Sequence, residues 1–315
     1  MDLKNINLNY YSFGLLGGFI NKSIKRMSPE KLIKIATDNK MGGVEFPVDY
    51  LFDLNINVLD RFLNKYINKI NIFISVENFI TKNLKIIIPI LKNYGIDKAR
   101  IKMSNHFGGN RFKLKKFAIE YDEFINNLKS MNTFLIENDF QLLIEYHQDL
   151  NSNDILHIIN SVSKKSIGVN WDIGNSLLTG ETPLDFYQNL KDYIYNIHIK
   201  DYQMVKNNNT IEFNRCIIGE GNIGINNVLK ILISDDYHYS MSIELGAYKK
   251  RVSHIFSEKY WGSYPCYDVN HKLRYFNFVN SQIKNTINRD VNKRTTKESE
   301  LFQIEESINN IKKLN

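Results

Sequence analysis

Cysteine is scarce: Cys216 and Cys266 are the only two in the chain, and they stand far apart. No C-x-x-C metal or redox pair can form from them. No run of 18 apolar residues occurs, so no membrane-spanning helix is expected. The opening residues MDLKNINLNYYSF lack the long apolar stretch that export needs, and a cytoplasmic protein is the expectation. Also missing is a dense stripe of Arg and Lys with interleaved aromatics, which would favour a nucleic-acid partner. The densest basic stretch, Arg111, Lys113, Lys115 and Lys116 around Phe112 and Leu114, is short and reads as a solvated helix start. No low-complexity tract interrupts the body of the chain, and 43% hydrophobic residues are enough for a substantial core. The net charge of +7 mildly favours anionic partners.

What is present is alternation. A length of 315 residues allows one large domain or two small ones. Short apolar runs predict strands at Tyr10–Leu15, Gly43–Phe46, Ile72–Val76, Arg100–Met103, Gln141–Glu145, Ile167–Asp172, Ile194–Ile199 and Met241–Glu244. Helical periodicity lies between them at Lys31–Lys40, after Ser28-Pro29-Glu30, and again after Thr81, read as the cap of a run holding Pro89. Further helices are expected at Phe117–Asn138, Ser152–Ser161, Pro183–Tyr193, Ile225–Ile233 and His271–Thr286. Eight strands with interposed helices imply a parallel α/β architecture, either an open doubly wound sheet or a closed eight-stranded barrel. No G-x-G-x-x-G opens the first unit, and Gly14-Leu15-Leu16-Gly17-Gly18 has the wrong spacing for one. The tail is different in character. Leu301, Ile304, Ile308 and Ile311 fall three or four apart, predicting an amphipathic helix at 297–313 within an extension, 288–315, that follows a domain at 1–287. Its stripe would pack on the exterior of the domain or make a dimer contact, so a homo-oligomer stays open.

Ionisable residues stand where strands end. Glu145, Asp172, His198 and Glu244 each follow an apolar run, on four successive strands. A buried carboxylate is costly unless a cation or hydrogen bonds compensate it. In a barrel these ends converge on one mouth. Three carboxylates and one imidazole suit Mn2+, Mg2+ or Co2+, with Zn2+ also acceptable, and do not suit a thiolate zinc site. Near the same ends stand His147, Asn175, Lys200, Glu45, Glu77, Asn78 and His106. Lys206 and Arg215 follow in the seventh βα loop with Gly219-Glu220-Gly221. Of these, His147, Asn175, Lys200, His106 and Arg215 are the candidate substrate-binding residues.

The segments GGVEFP (Gly42–Pro47), ISVENF (Ile74–Phe79), LLIEYHQDL (Leu142–Leu150), IGVNWDIGNSL (Ile167–Leu177), NIHIKDY (Asn196–Tyr202), IIGEGNIGI (Ile217–Ile225) and SIELG (Ser242–Gly246) come in an order that resembles the xylose isomerase-like barrel superfamily, in its sugar-phosphate isomerase and epimerase branch. The resemblance implies a (β/α)8 TIM barrel with a C-terminal helical extension. It also implies one divalent metal held by Glu145, Asp172, His198 and Glu244. Glu145 and Glu244 would move protons on opposite faces of a bound sugar or sugar phosphate, through an enediolate. Asn175 departs from the histidine many members carry there, and the Asp-x-His pair of three-zinc nuclease relatives is missing, which speaks against abasic-site cleavage. A keto-polyol lyase using the same base and metal is the alternative, followed by a non-catalytic sugar-binding protein.

Overall fold

A computed structural model describes residues 2–313 except 22, 24, 236, 238, 239, 247 and 285–295. The expected domain boundary at 287/288 and the expected helix end at Thr286 lie outside the described residues. The strands run in chain order as β1 (Ile6–Asn9), β2 (Gly43–Pro47), β3 (Asn71–Ser75), β4 (Lys98–Ile101), β5 (Gln141–Glu145), β6 (Ile167–Asp172), β7 (Ile194–Ile199), β8 (Tyr202–Asn207), β9 (Thr210–Arg215), β10 (Ser240–Ile243) and β11 (Arg251–Ser253). The first seven and β10 close into a parallel barrel, sealed where Ile6 pairs with Met241 and Asn7 with Gly43. Every residue of β6 is buried, as expected of a parallel strand covered on both faces. β8, β9 and β11 form a separate antiparallel sheet beyond the end of β7.

The helices are α1 (Pro29–Asp38), α2 (Val48–Leu51), α3 (Ile56–Tyr66), α4 (Thr81–Asn93), α5 (Phe117–Glu137), α6 (Ser152–Ser161), α7 (Pro183–Leu190), α8 (Ile225–Ser234), α9 (Glu258–Gly262), α10 (Val269–Lys284) and α11 (Lys297–Lys312). α1 starts as its sequence dictates: the Ser28 side chain accepts from the Lys31 N–H, and Pro29 opens the helix. Among the described residues, no helix is long and apolar enough to cross a membrane.

Four local expectations are corrected. The first strand is Ile6–Asn9, not Tyr10–Leu15, because Asn7 and Asn9 are polar residues buried within the barrel and disguise the alternation. Asn7 donates to Ser240 Oγ at 2.7 Å and accepts from Asn71, so its polarity is satisfied where an apolar residue was expected. Thr81 is the first residue of α4 rather than its cap, and Ile80 at the cap position offers no side-chain bond. α3 was not anticipated, although Leu59, Phe62 and Leu63 are buried and the Asn55 side chain accepts from Val58 N–H. The segment expected as one βα loop after β7 contains the β8–β9 hairpin.

α11 packs onto its own barrel. Ile304, Ile308 and Ile311 are fully buried, each worth about 1.5–3 kcal/mol of transfer free energy. Glu300, also fully buried, accepts from the backbone N–H groups of Leu15 at 2.7 Å and Leu16 at 3.1 Å. Ser307 Oγ accepts from Ile218 N–H, and Asn310 donates to Ile218 O. These bonds tie the extension to the β1–α1 loop and to the loop leading into α8.

Candidate active site

Glu145 ends β5, Asp172 ends β6, His198 lies in β7, and Glu244 directly follows β10. The ladder sets Asp172 opposite His198, and His198 opposite Ser242 on its other side, so neighbouring strand ends deliver the four side chains to one point. All four are buried, and one candidate donor atom from each lies within 4.8 Å of all the others. His198 Nε2 stands 3.0 Å from both oxygens of the fully buried Glu45. Its Nδ1 faces the other way, 2.8 Å from Glu244 Oε2 and 3.7 Å from Glu145 Oε1. Neither His198 Nδ1 nor Asp172 Oδ1 makes a well-oriented hydrogen bond, though both are buried. A carboxylate that takes the Nε2–H leaves the Nδ1 lone pair for a cation, the usual support for a ligating histidine.

The charge balance agrees with that arrangement. Among the described residues, Glu45, Glu77, Glu145, Asp172 and Glu244 are ion-paired with three fixed cations, Arg100, Lys102 and Lys200. With His198 neutral, two negative charges remain, which one divalent cation would offset. An oxygen-rich set with one nitrogen fits Mn2+, Mg2+ or Co2+ and also accepts Zn2+.

The protein's own groups poise the carboxylates differently. Burial opposes ionisation of Glu145, but Arg100 overrides it and holds the carboxyl well below the usual range. Burial is likewise outweighed at Glu244, by Lys200 at 2.7 Å and by His198. Asp172 goes the other way: burial pushes it up to about 7 despite its ion pair with Lys200. At His198 burial opposes protonation, yet Glu45 and Glu244 raise its pKa well above the ordinary value. That proton must leave before Nδ1 can ligate.

Above the cluster opens a cavity of about 620 Å³, whose wall includes Glu145, Glu244, His147 and Lys200. Burial lowers the pKa of His147 and favours the neutral imidazole. Tyr11, Phe19, Tyr50 and Tyr248 form an aromatic wall, with Phe19 stacked 4.9 Å from Tyr11, 5.0 Å from Tyr50 and 5.9 Å from Tyr248.

Other expected residues sit elsewhere. Asn175 donates to Asp172 Oδ2 at 2.8 Å and to Tyr146 O, and accepts from Gln148, so it orients Asp172 from behind. His106 leaves the mouth to pair with Glu120 of α5 at 2.7 Å. Arg215 is spent on backbone and amide oxygens, donating to Ser12 O, Gly246 O and Gln303 Oε1. Lys206 lies over the Phe256 ring. Asp201 accepts from the N–H groups of Tyr202, Gly219 and Gly221. A Cβ on Gly221 would stand 2.1 Å from Asp201 Oδ1, so this turn requires glycine. The sequence reasoning missed Arg100 and Arg251. Arg100 had a visible signal, a fixed charge within a strand between the apolar Ala99 and Ile101.

Comparison with known proteins bears on the fold that carries this site. YihM, an uncharacterized protein of Escherichia coli (strain K12), is 24% identical over 239 residues, 74% of this chain and 69% of that one. The structure of D-psicose 3-epimerase with D-tagatose from Clostridium cellulolyticum H10 superposes with a TM-score of 0.63 at 11% identity, over 98% of this chain and 99% of that chain. The probable 3-DHS dehydratase AsbF of Bacillus anthracis gives 0.55 at 14% identity, over 78% and 94%. These two likenesses establish the shared fold. Residues 57–261 match the family described as xylose isomerase-like TIM barrel. With more than half its length matched and its eight strands closed in the family's barrel, this chain belongs to the xylose isomerase-like TIM barrel family.

Proposed function

We propose that the protein is a divalent-metal-dependent isomerase or epimerase of a sugar or sugar phosphate. One observation carries the reading: Glu145, Asp172, His198 and Glu244 converge at the C-terminal mouth of the barrel with donor atoms within 4.8 Å of one another. The overlap of nearly the whole chain with an epimerase holding D-tagatose supports the sugar class.

A divalent ion held by these four residues would polarise the substrate carbonyl and offset charge developing on its oxygen. Glu145 and Glu244 are both ionised and reach the same space from opposite sides of the cluster. Each is a weak base, because Arg100 and Lys200 respectively stabilise its charge. One carboxylate takes the proton next to the carbonyl, giving an enediolate. The other returns a proton at the opposite face or neighbouring carbon. Lys200, bridging Asp172 and Glu244, fixes both carboxylates against movement during that transfer. Neutral His147 offers a hydrogen bond from the wall, and the aromatic side excludes water.

The test is Mn2+-loaded protein in heavy water with a panel of ketoses and ketose phosphates. Deuterium should enter beside the carbonyl of one substrate class, and Glu145→Gln or Glu244→Gln should slow that entry about 10²–10⁴-fold. Exchange at the unmutated rate in both variants refutes the assignment. Loss of water from the substrate would transfer the same base to a dehydration.

A further inference from the structure

The cations of the cavity wall are unequal. Arg100 is shared among Glu45, Glu77 and Glu145, Lys102 is paired with Glu77, and Lys200 with Asp172 and Glu244. Arg251 lines the same cavity but has no carboxylate within ion-pair distance among the described residues. Its Nε is buried with no hydrogen-bond partner. A half-buried guanidinium left in this way keeps a desolvation cost that its own chain does not offset.

Its position is nevertheless fixed. β11 pairs Arg251 with Phe213 of β9. Asn110 donates to Val252 O at 2.7 Å and accepts from His254 N–H, lashing the β4–α5 loop to β11. In that loop Gly108 has a φ of +79°, and a Cβ there would come within 2.6 Å of Val252 O. The close approach lays Phe107 against the guanidinium, whose Cζ is 3.8 Å from the ring centroid. Phe107 in turn meets the His147 imidazole at 5.1 Å, so Arg251 stands one ring beyond a residue that flanks Glu145. Stacking on one face leaves the N–H edge of the fork free to meet a planar or tetrahedral anion.

We propose that Arg251 recognises an anionic substituent of the substrate, a carboxylate or a phosphate ester, and so restricts the substrate to acidic sugars. This rests on the reading of the cavity as a sugar site. The charge count supports it: a divalent ion balances the carboxylate cluster, and one negative charge on the substrate balances Arg251.

The experiment is calorimetric titration of the full chain, with and without Mn2+, using D-fructose, D-fructose 6-phosphate and D-fructuronate. One charged probe should bind at least about tenfold more tightly than D-fructose. Arg251→Met, which keeps bulk over Phe107, should bring that ratio close to one, while Arg251→Lys keeps part of it. A preference for the phosphate marks a sugar phosphate as substrate; a preference for the carboxylate marks a sugar acid. The proposal is overturned if neither charged probe binds more tightly than D-fructose, or if Arg251→Met keeps the wild-type ratio. Proton exchange is not read in this titration, so a failed exchange test with the charge preference intact removes the proposed reaction and keeps the anion site.

Discussion

Glu45 touches no substrate in the proposed reaction, yet replacing it should weaken metal binding. Both of its oxygens sit 3.0 Å from His198 Nε2, it is fully buried, and its other neighbour, Arg100 Nε, is 3.6 Å away. It therefore sets which ring nitrogen carries the proton. In Glu45→Gln the amide NH2 can turn toward Nε2 and stabilise the opposite tautomer, with the proton on Nδ1 where the ion should be. Loss of such a supporting carboxylate lowers metal affinity about 10–100-fold, or ~1.4–2.7 kcal/mol. At a Mn2+ concentration of about 100 times the wild-type Kd, the ion stabilises the wild-type fold by ~2.7 kcal/mol; in the variant only ~0.4–1.4 kcal/mol should remain. Titration calorimetry reads the affinity and thermal melts at fixed Mn2+ read the stability. Glu45→Asp, which keeps the charge at a longer reach, should fall between. A cooperatively folding Glu45→Gln protein with affinity within about twofold of wild type would refute the tautomer argument.

Chelation should lower Tm, and Mn2+ should restore it; in His198→Ala the metal-dependent shift should vanish, and a wild-type shift in that variant would remove His198 from the ligand set. Ile308→Ala should cost about 2–5 kcal/mol in urea unfolding, because the side chain is fully buried against the barrel. A cost under about 1 kcal/mol would mean that α11 is not packed as described.

The barrel was legible wherever apolar residues dominate a strand. β5, β6 and β7 were read from the sequence with the bounds the structure gives, because Leu142–Ile144, Ile167–Trp171 and Ile194–Ile199 bury nearly every residue. β1 was not, because Asn7 and Asn9 find their hydrogen-bond partners inside the barrel, and side-chain hydrogen bonding leaves no mark on hydropathy. The convergence of Glu145, Asp172, His198 and Glu244 was legible because a carboxylate or imidazole terminating an apolar run has few cheap explanations. Arg215 and His106 misled for the opposite reason. A basic side chain near a strand end looks the same in sequence whether it meets a ligand or, as here, a carbonyl or Glu120. Arg251 was invisible because it reaches the cavity from β11, a strand outside the barrel repeat.

The misread arginine explains why the chain continues past its barrel. Arg215 joins Ser12 O of the first βα loop to Gly246 O beside Glu244, and its Nε reaches Gln303 of α11. Glu300 of the same helix holds the backbone of Leu15 and Leu16, and Ser307 and Asn310 hold Ile218. A βα loop long enough to shape a cavity buries little of its own surface and would otherwise open at low free energy. α11 closes two such loops, one of which leads to the Gly219–Gly221 turn bonded by Asp201, three residues from His198. The face that holds the Glu145, Asp172, His198 and Glu244 cluster is thereby stabilised by a segment outside the barrel repeat. The strand ends remain free to carry charge, and the extension is part of the site's scaffold.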